Sequence, residues 1–250
     1  MTAREIFAGF VAATAFFTRI PVTTPACCAE GLAAAAWAFP LVGAGIGGIA
    51  AFAFLLVQLL GLGDWPAAIL AVLAGVVLTG ALHEDGIADA ADGLIGGLDR
   101  DERLAIMRDS RHGTFGVVAI VLSVLLRAAA LAGIGEAVPA GLALIAAHAA
   151  SRAALPVAMR ALAPARSDGL GAAAGRPRTS LAITAVAIGL LVTLAALGPA
   201  RGAMAFGIAG AAMFALAVVA HRRIGGYTGD VLGGLQQIGE IFILLAAAAR

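Results

Sequence analysis

Residues 114–134 read TFGVVAIVLSVLLRAAALAGI. One charged residue, Arg127, interrupts an otherwise apolar run of Val, Leu, Ile and Ala. A helix rising 1.5 Å per residue over such a run spans the ~30 Å hydrocarbon core of a bilayer. The stretch lacks the period-two alternation that a lipid-facing barrel strand needs. It therefore reads as a transmembrane helix. Six more runs of the same character follow from it, at about 36–61, 66–83, 138–160, 179–198, 203–221 and 229–248. Across all 250 residues the hydrophobic share is 62% and the charged share 12%. Soluble domains carry about 45–50% apolar and about 25% charged residues. Those figures exclude both an ordinary soluble domain and a disordered chain. The expectation is an all-α, polytopic integral membrane bundle, one domain over 1–250, with about seven spans.

The connecting loops alternate in arginine, and there is no lysine. Arg4 and Arg19 precede the first span. Arg100, Arg103, Arg108 and Arg111 lie in 84–113, Arg160, Arg166, Arg176 and Arg178 in the loop near 160–178, and Arg222 and Arg223 in 222–228. The intervening turns hold only Arg201, with Arg250 at the end. The positive-inside rule puts the arginine-rich side in the cytoplasm and the N-terminus with it. Ile6 to Phe17 is short for a span needing about 20 residues and reads as an interfacial helix. No small-residue cleavage site follows it before Arg19-Ile20-Pro21, so a cleavable leader is not expected. Adjacent Cys27 and Cys28 fit no metal spacing and read as small apolar fillers. No basic stripe suggests nucleic acid as a partner.

The chemistry gathers in His83-Glu84-Asp85-Gly86-Ile87-Ala88-Asp89-Ala90-Ala91-Asp92-Gly93. On a helix Asp85, Asp89 and Asp92 stand at i, i+4 and i+7, within roughly 60° of one another. Three carboxylates on one stripe repel each other. A hard divalent cation such as Mg2+ or Mn2+ would relieve that repulsion, and Mg2+ is usually completed by water and phosphate oxygens. Two plainer readings compete: a solvated acidic face, or Asp85 as the cap of a helix beginning near Gly86. Gly86 and Gly93 weaken a helix, and make sense where a ligand or second helix approaches closely.

Three further places could complete a phosphate pocket. Residues 106–116 offer Asp109 as a metal ligand, with Arg108, Arg111 and His112 as anion partners. Gly225-Gly226-Tyr227-Thr228-Gly229-Asp230 is a glycine-rich turn opening the last span, where Asp230 would bind a cation or cap the helix. Gln236, Gln237 and Glu240 lie inside that span, where polar groups normally face the bundle interior. The same holds for Arg127, His148 and Arg152. For the two arginines, pairing with Glu240 or snorkelling competes with a functional role; His148 reads as a buried, hydrogen-bonded histidine.

These motifs resemble the cobalamin synthase family, the adenosylcobinamide-GDP ribazoletransferases. The resemblance rests on His83 to Gly93, Ile106 to Gly116, Gly225 to Gly233 followed by Gln236, Gln237 and Glu240, and the Thr18-Arg19-Ile20-Pro21 and Phe39-Pro40-Leu41-Val42-Gly43 segments. Residues of about 117 to 224 match only in character. The resemblance implies a membrane-embedded transferase of the bacterial inner membrane, with Mg2+ as cofactor. It would join α-ribazole or its 5′-phosphate to adenosylcobinamide-GDP and release GMP. Asp85, Asp89 and Asp92 then become metal ligands, with Asp109 and Asp230 as further ones. His83, Glu84 or a carboxylate is the candidate base. Arg19, Arg108, Arg111, His112, Tyr227, Thr228, Gln236, Gln237 and Glu240 join the substrate-binding set. Membrane lipid is the surroundings, and a homo-oligomer is left open. CDP-alcohol phosphotransferases also use an aspartate ladder, but Asp85-Gly86 is followed here by Asp89-Ala90 without their A-R pair. A secondary transporter would place its acids near the midplane and often in inverted repeats, which this pattern does not suggest.

Overall fold

The computed structural model describes residues 2–23 and 31–249; Cys27 and Cys28 lie outside the described residues. The described residues form helices and no strand beyond one isolated bridge between Pro164 and Tyr227. In order they are α1 (Ala3–Phe17), a 3₁₀ segment Leu32–Ala38 running into α2 (Phe39–Leu59), α3 (Asp64–Thr79), α4 (Leu82–Ala91), α5 (Arg100–Ile106) and α6 (Thr114–Ile134). Then come α7 (Ala137–Ala153), α8 (Leu155–Ala161), α9 (Gly169–Ala173), α10 (Thr179–Leu197), α11 (Pro199–Ile224) and α12 (Gly229–Ala248). Six of these, counting Leu32–Leu59 and Ala137–Ala161 as single units, are long and apolar enough to cross a membrane, and α3 with α4 makes a bent seventh. The all-α polytopic bundle is what the apolar runs predict.

The run expected at 66–83 differs. It stops at Thr79, and α4 leaves at 92° to α3. Gly80 and Ala81 both take left-handed backbone, at φ 65° and 59°. Gly80 does so freely. Ala81 does so at a cost of about 1–2 kcal/mol, so the packing on either side imposes this elbow. The chemical reason lies in the next residues: His83, Glu84 and Asp85 cannot follow α3 through hydrocarbon.

Small residues set the helix spacing, as is usual where lipid tails remove the hydrophobic drive between spans. The buried face of α7 is Ala140, Ala143, Ala146, Ala147 and Ala150, against Ala50 and Phe54 of α2. The crossing that matters for the site joins α4 to α12. A Cβ on Gly86 would stand 2.9 Å from the Cα of Gly233, and one on Gly233 3.0 Å from the Cα of Gly86. The close helix approach suggested by Gly86 is this one. Gly86→Val is expected to force the two helices apart and destabilise the protein by about 1–3 kcal/mol. Thermal melting in detergent micelles measures it; an unchanged melting temperature would show that the crossing is not tight.

The two ends of the bundle differ as the arginine count predicts. At one end Gln58 donates to Asp64 Oδ1 at 2.8 Å and to the Gly135 carbonyl. At the other, the three arginine-rich loops knit into one layer. Arg100 donates to the carbonyls of Ile224 (3.1 Å) and Ala165 (2.5 Å), and Arg223 to that of Leu94 (2.6 Å). Arg108 holds Asp168 at 2.8 Å. Ala165 and Tyr227 are tied by backbone, Ala165 N–H donating to Tyr227 O at 2.8 Å and Tyr227 N–H to Ala163 O at 2.9 Å.

Candidate active site

The elbow presents α4 with its first turn at the arginine-rich layer. Its N-cap is Ala81, which has no capping side chain. Asp85 is therefore a first-turn residue and not the cap. Carboxylates are favoured there by the helix dipole. Asp85 is exposed, and Asp89, one turn on, is partly buried. Because Gly86 lies on Gly233, the first turn of α12 and its Asp230 come alongside. The three carboxylates crowd one another. The charges of Asp85 and Asp230 act on Asp89 with the same sign, against a smaller opposing pull from His112. The His112 ring, largely exposed, stands 3.8 Å from Asp89, beyond hydrogen-bond reach.

The stripe of three expected from the spacing is broken at Asp92. The chain opens there into a wider π turn, Asp92–Gly96. The Asp92 carboxylate turns to the start of α6, accepting from the N–H groups of Gly113 (2.7 Å) and Gly116 (2.8 Å). It supplies the cap that Gly113 lacks. Both oxygens are thus engaged, and the acid completing the cluster is Asp230. Asp109 is also occupied: the Arg111 guanidinium and backbone N–H bind it and hold it down to about 2 on an exposed loop. Arg108 and Arg111, expected as anion partners, carry Asp168 and Asp109 instead.

Behind Asp85 and Asp230 lies a cavity of about 300 Å³. Its apolar wall includes Phe17, Phe39, Leu155 and Met159; its polar rim is His83, Asp85, Arg166 and Asp230. Arg166 was not among the residues singled out from sequence. It is mostly buried, its Nη2 is 3.4 Å from Asp230 Oδ2, and its Nη1 is buried with no hydrogen-bond partner among the described residues. Nothing in Pro164-Ala165-Arg166-Ser167 signals this local role. Arg166 is placed by the backbone ties between Ala163, Ala165 and Tyr227, across some sixty residues of chain. His83 lies face to face with Phe17, ring centroids 5.8 Å apart, and its Nε2 is buried without a partner.

The other expected site residues hold the structure around this rim. Thr228 caps α12 by accepting from Val231 N–H and donates to Asp230 at 3.0 Å. Tyr227 is buried and donates to the Gly171 carbonyl at 3.3 Å. Arg19 is exposed at the elbow, its N–H donating to Leu78 O at 2.7 Å and its guanidinium against Gly80. Glu84, Gln236, Gln237 and Glu240 are all buried and do not line the cavity. They form a network with Arg127, which donates to Glu84 Oε1 at 3.0 Å and Glu240 Oε1 at 2.9 Å. His148 is the buried, hydrogen-bonded histidine expected, accepting from Arg152 at 3.0 Å.

Among the described residues no three His, Cys, Asp or Glu side chains close around one point as a protein cage for a metal would require. The donor chemistry still suits Mg2+. Asp85 and Asp230 line the open cavity, and the Asp85 side chain has no hydrogen-bond or ion-pair partner among the described residues. Mg2+ characteristically takes one or two carboxylates and fills its remaining positions with water and substrate oxygens. Asp85, Asp89 and Asp230 fit that role better than Asp92 or Asp109.

The family model for cobalamin-5-phosphate synthase matches residues 9–248. A Bradyrhizobium diazoefficiens protein named adenosylcobinamide-GDP ribazoletransferase is 46% identical over 249 residues, covering 99% of this chain and 96% of its own. Proteins of the same name from Azorhizobium caulinodans (47% over 253 residues, covering 96% and 95%) and Mesorhizobium japonicum (43% over 250 residues, covering 99% and 95%) match similarly. No solved structure matches. With the family match reaching from within α1 to the last residue of α12, and the acid-lined elbow inside it, this chain belongs to the cobalamin-5-phosphate synthase family.

Proposed function

We propose that the chain is an adenosylcobinamide-GDP ribazoletransferase working at the cytoplasmic face of the bacterial inner membrane. The observation that carries this reading is the meeting of Asp85 and Asp230 with the Arg166 guanidinium on the lining of one cavity, with Asp89 one turn on from Asp85. It is a site for handling a phosphorylated substrate, and the relatives' printed name supplies which one. The arginine-rich layer around it supports the cytoplasmic orientation. No feature of the site favours a nucleotide-lipid transferase or a transporter.

In the reaction a hydroxyl of α-ribazole, or of its 5′-phosphate, forms a bond to the phosphorus next to the corrinoid. The bond from that phosphorus to the GMP oxygen breaks, and GMP departs. Asp85, with Asp89 or Asp230 beside it, would hold Mg2+, which when bound would offset the charge on the phosphoryl oxygens. Arg166 presents a partly desolvated guanidinium to a phosphate, the geometry in which such contacts are strong. Its pairing to Asp230 keeps it in place before substrate arrives. For the hydroxyl proton, Glu84 is withdrawn by its bond to Arg127. His83 and Asp85 remain at the cavity wall.

The test is to incubate membranes containing the protein with adenosylcobinamide-GDP, α-ribazole 5′-phosphate and Mg2+, and to follow GMP and the corrinoid product by chromatography. Both products should appear, vanish with EDTA and return with excess Mg2+. No product from well-inserted protein overturns the reading, and EDTA-resistant turnover overturns the metal assignment. In the same assay Arg166→Ala should lower kcat/KM by about a hundredfold to a thousandfold, the usual loss for one electrostatic contact to a developing charge. Unchanged kcat/KM would make Arg166 only the partner of Asp230.

A further inference from the structure

Resting on that reaction, we propose that the cavity behind Asp85 and Asp230 is the seat of the acceptor nucleoside, with its two-ring aromatic base among Phe17, Phe39, Leu155 and Met159. The reaction brings together three bulky pieces: a corrinoid, a guanine nucleotide and a benzimidazole-type riboside. Size and polarity decide among them.

At about 300 Å³ the cavity is at the lower limit of small-molecule pockets, roughly 300–1,000 Å³. That holds a bicyclic base with part of its ribose. It falls far short of a corrin macrocycle with its amide side chains. Guanine would fit by size but not by chemistry. It presents several hydrogen-bonding groups along its edges, and seated among Phe17, Phe39, Leu155 and Met159 it would leave them unmatched, which is costly. The apolar part of the lining includes two phenylalanines, Phe17 and Phe39, with Leu155 and Met159. A methylated benzimidazole has an almost wholly apolar edge and needs what this wall offers.

The wall is also shaped for a flat ring. Phe17 and Phe39 meet edge to face at 4.8 Å, so their planes form a corner. His83 lies parallel to Phe17. Met159 lines the pocket with a soft, adaptable side chain, the type that fits irregular aromatic shapes. Asp85, Arg166 and Asp230 line the same cavity, with His83 against Phe17, so a ribose hydroxyl would emerge beside His83, Asp85 and Asp230. The base is thus held against the apolar wall while the hydroxyl faces the acids. The corrinoid and GMP portions are left to the open side, where Asp85 is exposed.

The experiment uses the full chain in detergent or membranes with two variants, Met159→Trp and Met159→Ala. The tryptophan should fill the pocket. KM for α-ribazole 5′-phosphate should rise about tenfold or more while that for adenosylcobinamide-GDP stays within about twofold. The alanine should enlarge the pocket and shift kcat/KM toward ribosides of bulkier benzimidazoles, a change of preference that mere loosening of the fold would not produce. Equilibrium dialysis of labelled α-ribazole, without donor, reads the site independently of turnover. Wild type should bind and Met159→Trp should not. If Met159→Trp fails to insert, the selectivity of Met159→Ala decides. A rise in the donor KM alone, equal rises in both, or unchanged acceptor binding and selectivity would overturn the assignment. Acceptor binding by wild type without GMP release would instead leave this subsite standing and remove the transferase reading.

Discussion

Asp85→Asn is expected to lower turnover by about a thousandfold while the protein inserts and melts like the unsubstituted chain. Both halves follow from where Asp85 sits. Its side chain has no hydrogen-bond or ion-pair partner among the described residues. Its charge repels those of Asp89 and Asp230. Removing that charge relieves crowding and forfeits only the helix-dipole stabilisation of about 0.3–1 kcal/mol. The charge that Asp85 adds beside Asp89 and Asp230 is one that a bound cation would offset. Asp92→Asn is the contrast within the same motif. Asp92 accepts from two backbone N–H groups at the start of α6, and an asparagine can offer only one oxygen. That variant should lose about 1 kcal/mol of stability with a smaller fall in rate. Melting curves and GMP release on both variants read the two effects side by side. Normal turnover in Asp85→Asn, or equal melting losses in the two, would sink the separation of a working acid from a structural one.

The sequence and the structure agree where the signal is local and additive. Seven apolar runs announce helices because each residue contributes its own hydropathy. Arginine alternation sorts the loops because each charge acts alone. The Asp92 displacement is not local. The i, i+4, i+7 arithmetic assumes α geometry throughout, and the turn at Asp92 widens because Gly113 and Gly116, more than twenty residues on, offer it uncapped N–H groups. Asp230 replaces it through a glycine-to-glycine crossing between helices well over a hundred residues apart. Arg166 is hidden for the same reason, its place being set by the pairing of its strand-like neighbours with Tyr227. Gln236, Gln237 and Glu240 were legible as inward-facing, since polar groups in a span must be. Inward proved to mean a buried network and not the cavity, because Arg127 of α6 and Glu84 of α4 meet them there.

That network makes Arg127 the position with the largest expected effect on stability. Its guanidinium is 2% exposed and holds two carboxylates from different helices, Glu84 of α4 and Glu240 of α12, with a third bond to the Ser123 carbonyl. Gln237 supports it by donating to Glu84 Oε1 while accepting from Ser123, and Gln236 donates to Glu240. Arg127→Met leaves two carboxylates facing each other inside the bundle. Breaking a buried ion pair from one side costs about 3–5 kcal/mol, mostly from the charge left behind. The melting temperature in detergent should fall steeply, and turnover with it, because Glu84 adjoins Asp85 and anchors α4. The same argument predicts a rescue. Adding Glu84→Gln and Glu240→Gln removes the stranded charges, so the triple variant should melt well above Arg127→Met alone. An Arg127→Met protein that melts like wild type would show the pairing to be energetically idle. A triple variant that recovers both melting and GMP release would show that the network only holds α4 in place; recovered melting with lost turnover would mean that the orientation of α4, and so of Asp85, depends on the guanidinium itself.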